Sequence, residues 1–315
     1  MSLLAAIGLA LMAEQPRPII IGHRGASGHR PEHTLESYRV AIEQGADYVE
    51  PDLVMTKDGV LVARHENEIG QTTDAATKFP DRRLTKIIDG DTVTGWFVED
   101  FTVAELKTLR ARERLAARSH RYDGQFEVPT FEEVIQLVRR EEPKAGRRIG
   151  IYPETKHPSH HESLGLAITD SLIAALDRAG YREKTDPVFI QSFESANLRA
   201  ARSRTRLRLI KLIEADRPSR EELRELATYV DGIGPSKLLV QPISPNGELL
   251  EPSSLVADAH AAGLLVHVWT VRADPQFLAA GYRGDPLSEY RRLRSLGVDG
   301  IFTDFPDQAV AALRR

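Results

Sequence analysis

The sequence predicts an α/β fold closed into a (β/α)8 barrel. Short apolar or β-branched runs alternate along the chain with amphipathic stretches of helical spacing, the pattern of βα units feeding a parallel sheet. About eight such runs can be counted, the number that closes a barrel. The rival architecture, an open doubly wound sheet, usually carries a glycine-rich dinucleotide turn. Residues 22–28, "GHRGASG", lack that spacing.

The first run, "PIII" (18–21), stops at His23-Arg24, wedged between Gly22 and Gly25. An imidazole and a guanidinium are costly to bury, and flanking glycines let other atoms approach the backbone. A strand tip that opens into a pocket accounts for both features. The helix "TLESYRVAIEQG" follows, with Glu36 in its opening turn, Gly45 at its end and His33 expected at its cap.

The second strand is "DYVEPDLVM" (47–55), and Asp58-Gly59 behind it signals a tight hairpin. A two-residue loop sets Asp52 opposite His65; a three-residue loop from Lys57 to Gly59 shifts that register by one. Residues 66–128 then break the alternation and are longer than a plain connection should be. They are expected to form an insertion folded over one end of the barrel. It would contain a helical piece from Val103 to Leu115 and the aromatic residues Phe79, Trp96, Phe97 and Phe101.

The remaining strands are "RIGIY" (148–152), "PVFIQ" (187–191), "RLRLIKLI" (206–213), "DGIGP" (231–235), "LLVHVW" (264–269) and "DGIFTD" (299–304). Helical stretches such as "TFEEVIQLVRR", "LAITDSLIAALDRAG" and "YRRLRSLG" lie between them, two of them closing on Gly180 and Gly297. The barrel therefore occupies residues 18–315.

Composition narrows the function. A net charge of −4 over 315 residues, with basic groups scattered, gives no footprint for nucleic acid. The absence of cysteine excludes disulfides, thiolate metal sites and a Cys nucleophile. Leu3 to Met12 form an apolar run too short to span a bilayer. Residues 1–17 are set apart as an N-terminal segment, either the remnant of a secretory leader or a packed helix.

The polar residues gather at strand ends. Glu50 and Asp52 lie two apart and so share one strand face, among apolar neighbours that make an unpartnered acidic face expensive. His65 returns to their level. Glu154 and Lys156, again two apart, end the third strand. Gln191, Trp269 and Asp304 close later runs, and strand C-termini are the catalytic face of a barrel. Carboxylates of this kind suit a hard divalent cation, and Arg24 with Lys156 suits phosphate. Two histidines allow one to accept a proton while the other donates. No G-x-S-x-G elbow, Walker loop or HExxH is present. The inventory points to metal-assisted cleavage of a phosphate ester. Arg24 should lower the pKa of His23, and the carboxylates near His65 should raise its own.

The other histidines read as structural. His160 and His161, in "HPSHHE", are expected in a solvated loop, and His267 as a hydrogen-bonded core residue. His29 lies near the site without a defined part, and Glu32 should support the first loop.

Taken together, "GHRGASGHRPEHTLESY", "GADYVEPDLVMTKDGVLVARHE", "YPETKHP", "QSFE", "DGIGP", "VHVWTVR" and "GVDGIFTDFPD" resemble the glycerophosphodiester phosphodiesterase family, from about residue 18 to the C-terminus. "TGWFVEDFT", "ELKTLRARERL" and "FEVPTFEEVI" resemble the branch with an extra subdomain, many of whose members are exported. The resemblance implies a TIM barrel that hydrolyses deacylated phospholipid diesters to sn-glycerol 3-phosphate and an alcohol, with one divalent cation, Ca2+ or Mg2+. It implies His23 and His65 as the acid–base pair, Arg24 and Lys156 as phosphate contacts, and Glu50, Asp52 and Glu154 as metal ligands. Trp269 and Phe193 resemble the wall against the glycerol, with Gln191 on the same substrate face. The partner is then a small-molecule glycerophosphodiester, with no nucleic acid and no integral membrane segment, in a periplasmic or secreted protein or otherwise a cytoplasmic one. The family's P-E-N-T is replaced here by "PEHT", with His33 in third place. Two other readings stand beside this one: a phosphodiesterase of intact phospholipid or phosphoinositide, with the insertion aromatics as an acyl apron, and a catalytically silent barrel that binds surfaces.

Overall fold

A computed structural model describes residues 17–314. The expectation for the N-terminal segment lies outside the described residues, apart from Arg17, which pairs with Asp47 at 2.9 Å. The strands are β1 (Ile19–His23), β2 (Tyr48–Glu50), β3 (Asp52–Met55), β4 (Leu61–Ala63), β5 (Leu84–Ile88), β6 (Asp91–Gly95), β7 (Gly150–Ile151), β8 (Glu154–Thr155), β9 (Phe189–Ser192), β10 (Arg208–Ile213), β11 (Gly232–Pro235), β12 (Leu265–Val271) and β13 (Gly300–Thr303).

Eleven of these form one sheet. The second predicted strand is split into β2 and β3 at Pro51, and the third into β7 and β8 around Pro153, because proline has no N–H for the ladder. β2 pairs β7 and β3 pairs β8, both in parallel. From β8 the parallel pairing runs through β9, β10, β11, β12 and β13, back to β1 and on to β2. With the split strands joined and β4 counted as a hairpin arm, eight staves close on themselves. The fold is a TIM-type barrel, with every predicted run as a stave.

Period-two alternation sorts the side chains. Ile21, Tyr152, Phe189, Ile210 and Phe302 make one buried cluster, with Tyr152 stacked on Phe189 at 4.9 Å between centroids. Two residues further along the same strand face come His23 after Ile21, Glu154 after Tyr152, Gln191 after Phe189 and Asp304 after Phe302. The polar layer therefore rests on an aromatic plug. His267 belongs to that plug as expected: it is buried, and its Nδ1 lies 2.8 Å from the Tyr152 hydroxyl.

Several local expectations change. Leu53 pairs Ala63 and Met55 pairs Leu61, so the hairpin loop is Lys57–Gly59, with Gly59 at φ 79°. Asp52 accordingly faces Arg64, whose N–H donates to its carbonyl at 3.0 Å, and His65 stands one residue beyond. Thr34, not His33, caps the helix Leu35–Glu43 by accepting from the Ser37 N–H. The helix expected from Val103 to Leu115 stops at Leu106 after a Thr102/Glu105 capping box. Arg110 and Ala111 pair instead with Asp74 and Thr73, which takes the backbone groups a longer helix would need. "HPSHHE" is no solvated loop: Pro158–Ser163 is helical, His161 is fully buried, and the His160 Nε2 lies 3.1 Å from Glu99.

Residues 66–128 hold the β5–β6 hairpin and short turns of helix. Val98, Phe101, Leu106 and Leu109 join Val54 and Val62 of the barrel hairpin in an apolar cluster of their own, with Phe79 and Trp96 packed against it. Phe97 is also fully buried. Phe97 and Phe101 are thus fully packed away and Phe79 and Trp96 half-buried, while Leu84 and Ile87 of the β5–β6 hairpin stay exposed. Among the described residues no helix is long and apolar enough to cross a membrane.

Candidate active site

All ten residues singled out from the sequence line one cavity of about 80 Å3 at the C-terminal mouth of the barrel: His23, Arg24, Glu50, Asp52, His65, Glu154, Lys156, Gln191, Phe193 and Trp269. Thr270 and Arg272 complete it on the β12 side.

Glu50, Asp52 and Glu154 can bring one ligand atom each within 4.8 Å of one another. All three are buried, and their surroundings differ. Glu50 accepts from the Arg24 N–H at 2.8 Å and from the Gln191 amide at 3.0 Å. Burial, then Asp52 and Glu154, nonetheless push its pKa well up. Glu154 is raised to about 8 by burial, with Asp52 adding to the shift and Lys156, 3.0 Å away, opposing it. Asp52 keeps its charge: burial works against it, but His33 at 2.9 Å and Lys156 hold it well below the usual range. Its Oδ1 is buried without a hydrogen-bond partner. Three converging carboxylates, two of them driven toward the neutral form and one with an orphaned oxygen, fit a hard divalent cation.

The two histidines flank this triad. His23 Nδ1 lies 2.6 Å from Asp304 Oδ1, while Asp304 Oδ2 accepts from Arg118 at 2.6 Å and Arg272 at 3.0 Å. Burial first, then Arg24, lowers the His23 pKa to about 4, in the direction expected. His65 Nδ1 lies 2.8 Å from Glu66 Oε1. Here the expected direction is reversed: burial, followed by Arg24 and Lys156, outweighs the pull of Glu66 and Asp52 and takes His65 down to about 3. Burial first, with Arg24 adding to it at both, thus favours the neutral form of the two imidazoles.

Arg24, with φ 60°, is gripped by Glu32 at 3.0 Å and approaches Asp52 at 3.5 Å. Glu32 therefore supports the first loop, helped by Arg114 at 2.9 Å. Phe193 and Trp269 meet edge to face at 5.8 Å, and the Trp269 indole N–H donates to the Gly234 carbonyl at 2.6 Å. His29 turns away to Asp307 at 3.1 Å.

Sequence reading passed over four contributors. His33 clamps Asp52 and reaches the Tyr38 hydroxyl at 2.7 Å; the histidine in "PEHT" was the available signal. Asp304, visible only as a strand-terminal acid, is the partner of His23. Glu66 follows His65 directly. Arg118 carries no local signal, since its partners Asp274 and Asp304 are remote in sequence.

The chain matches the family model described as the glycerophosphoryl diester phosphodiesterase family over residues 23–308. It is 37% identical over 317 residues to glycerophosphodiester phosphodiesterase GDPD6 of Arabidopsis thaliana, covering 92% of this chain and 84% of that protein. It is 33% identical to the glycerophosphodiester phosphodiesterase of Haemophilus influenzae, covering 94% and 90%. Among solved structures, an Oleispira antarctica phosphodiesterase in complex with the product sn-glycerol-3-phosphate superposes with a TM-score of 0.68 at 23% identity, covering 95% of this chain and 98% of that one; this last likeness supports the barrel. With the motif-bearing residues gathered in one cavity and two curated relatives matched over most of their length, the chain belongs to the glycerophosphoryl diester phosphodiesterase family.

Proposed function

We propose that this cavity hydrolyses glycerophosphodiesters to sn-glycerol 3-phosphate and an alcohol, with His23 as general base and His65 as general acid. The observation that carries the reading is the single cavity in which two carboxylate-backed imidazoles flank a three-carboxylate cluster beside Arg24 and Lys156. Membership of the family makes the chain a phosphodiesterase; the residue roles, the cation and the substrate half-sites are the proposal.

Glu50, Asp52 and Glu154 would hold one Ca2+ or Mg2+, which when bound offsets phosphate charge and polarises the P–O bonds. Arg24 and Lys156 add fixed positive charge where the equatorial oxygens become more negative. Asp304 takes the His23 Nδ1 proton in a hydrogen bond, so Nε2 presents a lone pair to the nucleophile, either water or the glycerol 2-hydroxyl. Glu66 orients His65 in the same way and stabilises its cationic form. A bound phosphodiester adds negative charge beside His65, which favours the protonation it needs to give a proton to the departing alkoxide. Phe193 and Trp269 offer the glycerol carbons an apolar wall, and Gln191 holds Glu50 in place. We further read residues 66–128 as an insertion between the β4 arm and the helix Phe131–Ala145; their own apolar cluster supports this.

The test is a coupled assay for glycerol 3-phosphate release, with and without chelator. Activity should vanish with chelator, return with the divalent cation, and fall by roughly a hundredfold to ten-thousandfold in His23→Ala and His65→Ala. Undiminished turnover in both variants would sink the assignment.

A further inference from the structure

His33 is fully buried in the loop between β1 and the helix Leu35–Glu43, at φ 55°. Glycine and asparagine occupy that left-handed region more readily than histidine does. The backbone there is pinned on both sides. The His33 N–H donates to the Arg24 carbonyl at 3.1 Å, and the His33 carbonyl accepts from the buried Arg64 guanidinium at 2.7 Å. From this anchored position the ring reaches Asp52.

A carboxylate oxygen can only accept, so Nε2 donates to Asp52 Oδ2 at 2.9 Å. Nδ1 is then left with a lone pair, and the hydroxyl of Tyr38, itself fully buried, lies 2.7 Å away to donate to it. The two bonds settle the tautomer and the plane of the ring together. Arg24 Nε stands farther from the same oxygen, at 3.5 Å. The other oxygen, Oδ1, is buried and accepts nothing. Glu50, by contrast, has both oxygens held, by the Arg24 N–H and the Gln191 amide, and Glu154 has Oε1 against Lys156. Asp52 thus offers the triad an oxygen for which no protein donor competes.

We propose that His33, backed by Tyr38, is a positioning residue for the cation: it holds Asp52 by Oδ2 and so presents Oδ1 as the ligand atom. A carboxylate fixed beforehand by an outer hydrogen bond loses less freedom when it binds an ion, and binds it more tightly. The inference rests on the cation site of the proposed function and deepens it. A role confined to the turn calls for a different residue. Asparagine suits the left-handed backbone and stands in the family's P-E-N-T form, but its amide ends near the place of Nδ1 and falls short of Asp52. Glutamine suits that backbone less well, yet carries an amide N–H as far as Nε2.

The test is calorimetric titration of the full chain with Ca2+ or Mg2+, without substrate, beside Tm in chelator and kcat at saturating cation. His33→Ala should weaken cation binding by roughly tenfold to a hundredfold, with a smaller loss in kcat once the cation saturates. His33→Gln should recover part of the affinity. His33→Asn should recover less than His33→Gln, even with the higher Tm in chelator. Tyr38→Phe, which keeps the imidazole and removes the donor to it, should weaken binding by less than His33→Ala. An affinity unchanged in His33→Ala, or one that follows the turn and is higher in His33→Asn than in His33→Gln, overturns the positioning role and leaves the triad site intact. If His33→Ala does not fold, His33→Gln against His33→Asn decides by the same comparison. A wild-type chain that binds neither cation overturns the site itself, and the inference with it.

Discussion

His23 Nδ1 lies 2.6 Å from Asp304 Oδ1, and in the proposed mechanism that contact decides which nitrogen faces the substrate. Asparagine at 304 keeps the shape but can present its amide N–H to Nδ1, stabilising the wrong tautomer. Asp304→Asn should therefore reduce kcat by roughly a hundredfold or more with little change in KM. Circular dichroism should show an intact barrel, and a variant with unchanged kcat would remove Asp304 from the mechanism. At this scale the sequence was informative where chemistry needs a costly residue in an apolar setting. His23, Glu50, Asp52 and Glu154 stand out because charge at the end of an apolar run demands a partner. His33 was misread as a cap, since "PEHT" shows a residue ahead of a helix but not that its ring turns to Asp52, nineteen positions on.

Among elements, two of the attachments of segment 66–128 bear on the site and its stability, and no local pattern announces them. Arg118 sends its guanidinium to Asp274 and Asp304, both at 2.6 Å, and so braces the carboxylate behind His23. Arg118→Met should lower kcat more than it alters KM, and Arg118→Lys should restore part of the loss. A change confined to KM would assign Arg118 to substrate binding instead. The second attachment is the helix Pro158–Ser163, whose His161 is buried against Asn67. Burial is the main cause that lowers its pKa from 6.5 to about 4, with Glu99 opposing. Between those values the unfolded chain takes a proton that the folded chain excludes, so this group costs stability as pH falls through that window and nothing above it. The effect is up to about 3 kcal/mol. Hydrogen exchange in residues 66–128 should accelerate from pH 6.5 to 4, with a flatter response in His161→Leu once intrinsic rates are corrected. Equal pH dependence in both proteins would refute it. The helix and hairpin boundaries here were hard to read because they depend on pairings such as Thr73 with Ala111, which periodicity does not encode.

For the whole molecule, the barrel was legible because each stave is a short apolar run and parallel closure leaves few alternatives. What closure does to the carboxylates was not. It seats Glu50, Asp52 and Glu154 over the plug formed by Tyr152, Phe189 and Phe302, where Glu154 is raised to about 8 by burial first and Asp52 second. A divalent cation needs the ionised carboxylate, so below that value binding must displace a proton, and affinity should climb as pH rises toward 8. Because a ligand of the folded state stabilises it by an amount that grows with the logarithm of one plus its concentration over its dissociation constant, the rise in Tm produced by a fixed Ca2+ or Mg2+ concentration should be larger at pH 8 than at pH 6. Calorimetry in two buffers of different ionisation enthalpy should detect the released proton. Glu154→Gln should lose both the thermal gain and the proton release, yet without added cation it should match or exceed the wild type in Tm at pH 8, since it removes one of three crowded acids. A thermal gain that is the same at both pH values, or that survives in Glu154→Gln, would mean that the cation sits elsewhere than on this triad.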